Sequence, residues 1–147
     1  MTLKVNNTGM AVTLDIGNPM NIHPANKAEV GRRLALWALA KDYGKQLVYS
    51  GPLYASMEVK DDVIQVSFDH VDGGLKAREG GLKNFQIAGE DKVFHDAKAY
   101  VDGNSVIVKS SLVNKPAAVR YLWDNFSEAS LFNGHGLPAS SFRTDNW

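Results

Sequence analysis

After Gly44 the sequence stops offering a helix. From there to Trp123 the apolar residues come in short alternating runs, at 46–49, 63–71, 85–88, 92–101, 105–110 and 117–123. Turn-forming clusters separate them: Gly51-Pro52, Asp61-Asp62, Asp72-Gly73-Gly74, Gly80-Gly81, Gly89-Glu90-Asp91, Asp102-Gly103-Asn104 and Asn114-Lys115-Pro116. Short strands at regular spacing predict an antiparallel β-sandwich. Asp102-Gly103 ahead of Asn104 reads as a hairpin connection, because such turns need residues that tolerate positive φ. Residues 125–147 are polar and contain Gly and Pro, so they are expected as a tail packed on that sandwich.

Ahead of Gly44 the texture is different. Residues 10–16 are nearly continuous in apolar character and predict a strand buried on both faces. The loop 17–23 holds Gly17, Asn18, Pro19 and Asn21 and is irregular. A helix is expected from about Pro24 to Tyr43. Pro24 suits the first helical position, where its missing N–H has no partner to lose, and Glu29 favours the positive end of the helix dipole. Val30, Leu34, Ala35, Leu36, Trp37 and Leu39 make a wide apolar stripe, with Arg32, Arg33, Lys41 and Asp42 on the wet side. Gly44 ends the helix in the left-handed conformation. The join places His23 in a loop between a strand end and a helix mouth, the edge where ligands collect in open α/β sheets. A histidine held there by one ring nitrogen can offer the other to a substrate.

Composition closes off several classes of function. The 147 residues carry 16 basic and 16 acidic groups, so no basic surface for nucleic acid is implied. The absence of cysteine excludes disulfides, thiolate catalysis and zinc fingers. The apolar run 34–40 is closed by Lys41 and Asp42, far short of a membrane span. Met1-Thr2-Leu3-Lys4 is not a signal peptide, and the compartment stays open.

Asn21-Ile22-His23-Pro24, followed by Asn26-Lys27 and Val30-Gly31-Arg32-Arg33-Leu34-Ala35, resembles the last catalytic block of the SGNH (GDSL-type) hydrolases. The likeness is to the sialate O-acetylesterase family, which includes bacterial acetylxylan and other carbohydrate esterases. It continues through Val48-Tyr49-Ser50-Gly51-Pro52, Phe85-Gln86-Ile87-Ala88-Gly89-Glu90-Asp91, Val119-Arg120-Tyr121 and Gly136-Leu137-Pro138. The resemblance implies a mixed α/β and β fold. Residues 1–44 would be the terminal strand, catalytic loop and helix of an SGNH α/β domain. An antiparallel β-sandwich would follow at 45–124, and a tail at 125–147. It also implies a carbohydrate O-acetylesterase of the sialate or xylan type, working by Ser–His acyl transfer with His23 as general base and no cofactor.

The family's Gly-Gln-Ser-Asn nucleophile block and its Gly and Asn oxyanion blocks are missing from this sequence. The chain therefore resembles the C-terminal portion of such an enzyme. Its expected partners are an acetylated carbohydrate and either the Ser-bearing segment or a second copy of the chain, with no nucleic acid or membrane. One strand before one helix cannot build a parallel sheet. The strand at 10–16 is thus expected to find neighbours outside the chain, or the 1–44 segment to pack differently from the family.

The candidate site residues carry different kinds of support. The family places an Asp three residues before its histidine, where this chain has Met20. Asn21 can orient an imidazole but cannot stabilise its charge, and Asp15 is the nearest upstream carboxylate. The site works as a dyad, or Asp15 substitutes as the acid. Asn21, Arg120 and Trp123 are candidate substrate-binding residues, since Trp faces stack on sugar rings. The competing reading of the last strand packs Val119, Tyr121 and Trp123 into the core with Arg120 outward. Ser50, Ser67, Ser110, Ser111, Ser140 and Ser141 lack a nucleophile setting, and His23, His70, His95 and His135 lack the spacing of a zinc site. An alternative function is a non-catalytic carbohydrate-binding or structural β-sandwich.

Overall fold

A computed structural model describes residues 2–147, Thr2 by its backbone alone. Among the described residues a short 3-10 turn (Thr2–Lys4) and one α-helix, α1 (Lys27–Lys41), precede nine strands: β1 (Leu53–Lys60), β2 (Val63–Asp69), β3 (Leu75–Ala77), β4 (Phe85–Gly89), β5 (Phe94–Asp102), β6 (Ser105–Lys109), β7 (Pro116–Tyr121), β8 (Leu131–Asn133) and β9 (Phe142–Arg143). Seven of them form a wholly antiparallel sheet in the order β1-β2-β6-β5-β4-β7-β9, and β3 pairs with β8 in a separate ribbon.

β5 divides the large sheet. Its first half, Phe94–Ala97, pairs with β4, and its second half, Lys98–Asp102, pairs with β6. A strand that changes partner midway turns a corner between two packed layers. Ile64, Val66, Val106 and Val108 from one layer meet Phe85, Ile87, Val119 and Tyr121 from the other, all fully or almost fully buried. The sheet curls until its edges approach: Tyr54 of β1 stacks on Phe142 of β9 at 5.1 Å. The architecture is therefore the expected antiparallel β body, nearly closed, with α1 outside it. The hairpin at Asp102-Gly103-Asn104 forms as expected, with Gly103 at φ +58° between paired Asp102 and Ser105.

Residues 10–16 form no strand. Ile16 N–H turns back to the Thr13 carbonyl at 3.2 Å, and the Leu14 carbonyl accepts from Ala129 N–H at 3.0 Å. An apolar run has the same texture whether it pairs in a sheet or lies as a loop on a core. Here no described strand pairs with it, and Leu14 packs against the core from outside. Residues 46–49 are likewise an irregular connection.

α1 begins three residues later than expected. The cap is Asn26, whose Oδ1 accepts from Glu29 N–H at 3.2 Å, while Pro24 stays in the loop before it. The helix ends as expected, with Gly44 at φ +63° and Lys45 N–H bonded to the Leu39 carbonyl at 2.9 Å. Its apolar stripe has no sheet to lie on: Leu34 and Leu39 are exposed. Trp37 of the helix packs its ring on Tyr49 of the connection before β1 at 4.7 Å, and Tyr49 packs in turn on His70, just after β2, at 5.1 Å.

Residues 125–147 contribute β8 and β9 and bury Leu131, Ala139 and Phe142 in the core. Their anchor is the Tyr121 hydroxyl oxygen, which accepts from Ser130 N–H at 2.9 Å and Leu131 N–H at 3.0 Å. Tyr121 is fully buried. Tyr121→Phe leaves two backbone donors without a partner in a dry core, and is expected to cost about 3 kcal/mol. Urea unfolding checks it; a loss under about 0.5 kcal/mol would show that these donors find other acceptors.

Candidate active site

The loop that carries His23 is shaped by asparagines. Asn18 Oδ1 accepts from Met20 N–H at 2.9 Å, and Asn21 Oδ1 accepts from His23 N–H at 2.9 Å. Each side chain imitates a backbone turn two residues on, which is the reason Asn collects in irregular loops. His23 is exposed, and its ring makes no hydrogen bond among the described residues. Asn21 thus acts first on the backbone, setting where the His23 side chain leaves the chain.

The structure does not join Asp15 to His23. Asp15 instead forms a two-pronged pair with Arg33, at 2.6 Å (Nη1 to Oδ1) and 2.7 Å (Nη2 to Oδ2). Arg33 Nη1 also donates to the Val12 carbonyl at 2.5 Å, and Nε donates to Glu29 Oε1 at 2.8 Å. Arg33, expected on the wet side of α1, is the one residue of that helix that is buried. A guanidinium can be buried because its fork of donors meets every acceptor around it. One cation therefore ties the segment before the His23 loop to the helix after it.

Glu29 completes this cluster. The hydrogen bonds from Arg32, at 2.6 and 2.7 Å, and then from Arg33 lower its pKa from 4.5 to about 2. A carboxylate depressed on folding adds stability that is complete above its unfolded pKa and is lost as the pH falls through the folded one. The Glu29 contribution should therefore fade between about pH 4.5 and 2. Glu29→Gln should flatten the acid limb of the Tm against pH curve across that window. An unchanged limb would place the acid sensitivity elsewhere.

Opposite the loop lies the junction between the expected sandwich and the expected tail, residues 124–129. Ala129 N–H bonds to the Leu14 carbonyl. Just before it, Asp124 Oδ1 accepts from Phe126 N–H at 2.9 Å and Ser127 N–H at 2.7 Å. Between this turn and the loop runs a cleft of about 300 Å³, lined by Asn21, Ile22 and Pro24 on one side and by Asn125, Phe126 and Ser127 on the other. Ile22 and Pro24 thus border it, and His23 itself does not. Phe126 is 73% exposed. The only local hint was an aromatic residue stranded in a polar stretch. A larger cleft of about 610 Å³, lined by Trp37, Tyr49 and His70 among others, lies on another part of the surface, and no residue of the His23 loop borders it.

Arg120 and Trp123 sit elsewhere. Arg120 points outward from β7, bonds Asp145 through Nε at 3.0 Å and Nη2 at 2.8 Å, and lies 3.8 Å over the Phe94 ring. Arg120 holds the Asp145 carboxyl below the usual carboxylate range. Val119 and Tyr121 enter the core, but Trp123 does not. Leu122 adopts φ +50°, which breaks the alternation and leaves Trp123 half exposed beside Arg143. Arg120 is thus committed to the C-terminal segment and makes no contact of this kind with the His23 loop. Among the described residues no group of three or more His, Asp or Glu is placed to hold a metal ion.

No protein-family model matches the chain, and no curated protein matches it. Among solved structures, a carbohydrate acetylesterase from Xanthomonas citri is similar to it, with a TM-score of 0.88 and 47% sequence identity. The match covers 93% of this chain and 32% of that one, so the chain spans about a third of that enzyme's length. The fold and the sequence together relate this chain to one part of a carbohydrate acetylesterase.

Proposed function

We propose that this fold is the histidine-supplying part of a carbohydrate O-acetylesterase of the SGNH type, with the serine nucleophile carried outside these 147 residues. The observation that carries the reading is the 47% identity to part of a carbohydrate acetylesterase, together with a loop that offers an exposed His23 at the mouth of a helix. His23 takes the proton of the serine hydroxyl as that oxygen bonds to the acetyl carbonyl carbon. As the carbon–oxygen bond to the sugar breaks, the imidazolium gives the proton to the sugar oxygen. Water then attacks the acyl-serine, with His23 again as base, and acetate leaves.

Asp15 and Asn21 are positioning residues in this scheme. Asn21 sets the backbone at His23, and Asp15 fastens the chain eight residues upstream to Arg33. The bare α1 face and the unpaired segment 10–16 are where the rest of the enzyme would lie. A fluorophosphonate probe tests the arrangement. Acetate release from a chromogenic acetate should need the serine-bearing part, and the label should attach there. Stoichiometric labelling of a serine within these 147 residues, or acetate release by this chain alone, would overturn it.

The second reading is a non-catalytic carbohydrate-binding surface, favoured by Trp123, 48% exposed on the outer side of the β body. Arg120, already bound to Asp145, would orient that surface and leave the sugar contact to Trp123. This reading expects glycan retention on an array that Trp123→Ala abolishes, with no effect of His23→Ala.

A further inference from the structure

We propose that the outer face of the β body carries a non-catalytic site for a glycan that bears a carboxylate, with Trp123 as the ring platform and Arg143 as the group that takes the carboxylate. The proposal rests on the Trp123 surface of the second reading above. It is independent of the acetyl chemistry assigned to His23.

The backbone is strained to present Trp123. Val119 and Tyr121 are buried in the core, so plain alternation would turn residue 122 outward and bury residue 123. Leu122 instead takes φ +50°, a left-handed conformation that a bulky side chain rarely adopts. Its N–H is held by the Asn84 carbonyl at 3.0 Å. Leu122 is thereby buried, and Trp123 stands 48% exposed. Backbone strain of this kind collects at ligand-binding surfaces, and here its product is an exposed indole.

Beside the indole stands a positive charge without a partner of its own. Asp145, its side chain fully buried, receives Arg120 through two bonds of 3.0 and 2.8 Å. That two-pronged pair is complete by itself. Arg143 reaches the same carboxylate only at 3.7 Å, too far for a hydrogen bond, and its guanidinium donates none among the described residues. Two guanidiniums thus face one carboxylate, and the donors of Arg143 are free. Asp124, next to Trp123 in the chain, has Oδ1 engaged by the N–H groups of Phe126 and Ser127. The Arg143 guanidinium lies 5.5 Å from the centre of the Trp123 ring, which sets a charged fork beside a flat apolar face. A uronic acid has the matching parts: a ring with an apolar C–H side, and a carboxylate on its rim. An acidic peptide would use the fork and leave the indole idle.

Calorimetric titration of the 147-residue chain tests this, with two probes that differ at one group. One is a xylo-oligosaccharide carrying a glucuronic acid; the other is the same molecule with that carboxyl reduced to the alcohol. The acidic probe should bind about tenfold tighter at low salt, the worth of one charge-assisted pair, and high salt should shrink the advantage. Arg143→Gln should erase the advantage and leave the affinity for the reduced probe unchanged, since Asp145 keeps Arg120. Arg143→Lys should keep part of it. Trp123→Ala should weaken both probes about tenfold, and Trp123→Phe should retain most of the binding. Equal affinity for the two probes, or a preference that survives Arg143→Gln, would overturn the inference while leaving a neutral glycan surface at Trp123. Absence of binding by either probe would remove that surface as well. Polyglutamate that binds as tightly as the acidic probe, with Trp123→Ala without effect on it, would assign Arg143 to a peptide partner and overturn the inference too.

Discussion

His23→Ala is expected to lower turnover of an acetyl ester by about 10³- to 10⁶-fold in the complete esterase, with KM and Tm nearly unchanged. The size follows from the role proposed for His23. Without the imidazole, the serine hydroxyl keeps its proton at neutral pH and the leaving sugar oxygen departs without one, so both halves of the reaction slow. What remains comes from binding and from oxyanion donors, which the substitution does not touch. The constancy of Tm follows from the structure. His23 is exposed and its ring bonds nothing among the described residues, so removing it opens no cavity and strands no partner. Measuring kcat, KM and the melting curve on one preparation separates the outcomes. A fall in kcat with an intact melting curve assigns His23 to the proton transfers. A variant that retains its rate removes His23 from the chemistry and favours the sugar-binding reading.

The same exposed residue shows how much of the molecule could be read from the chain. An irregular loop at 17–23, followed by a helix that Gly44 stops, follows from local chemistry, since Asn, Pro and Gly act on their immediate neighbours. β2 and β5 were legible because inner and outer residues alternate along them, and β4, β6 and β7 because each is a short run with consecutive buried residues bounded by turn formers. β1 lies at the sheet edge with mostly exposed or half-exposed residues, so its pattern carries little signal. β8 and β9, three and two residues long, exist only because distant groups hold them. Asn133, for example, donates to the Ser50 carbonyl at 3.0 Å and accepts from Leu137 N–H at 3.1 Å. The site divides along the same line. His23 and Asn21 lie two positions apart in the sequence and could be found together. Phe126 meets the His23 loop across about a hundred residues, and no local pattern records that. Asp15 was the nearest upstream carboxylate by count, but a two-pronged partner on α1 outcompetes an exposed imidazole for it.

That partner sets the second large effect. Arg33→Met is expected to destabilise the 1–44 region by about 3–5 kcal/mol, because breaking one side of a buried ion pair leaves the other charge without compensation. Arg33 is 4% exposed, and Asp15 depends on it for both oxygens. Met keeps much of the side-chain volume, so the loss measures the charge and its bonds rather than a cavity. Glu29 is spared in part, since Arg32 still clamps it. The damage should stay local. α1 meets the β body through Trp37 and Tyr49, whereas the β body has its own closed core, so the two are expected to melt separately in the variant. Amide exchange should accelerate at residues 12–16 and along α1 while β4 to β7 keep their protection. Adding Asp15→Asn should restore part of the loss, since the stranded charge is then gone, and a double-mutant cycle measures how much. In the complete enzyme the single variant should also lose turnover, because the chain on both sides of the His23 loop is anchored through this one guanidinium. Unaltered exchange at 12–16 would show instead that Asn18 and Asn21 hold the loop by themselves, and that the Arg33 pair adds little to the position of His23.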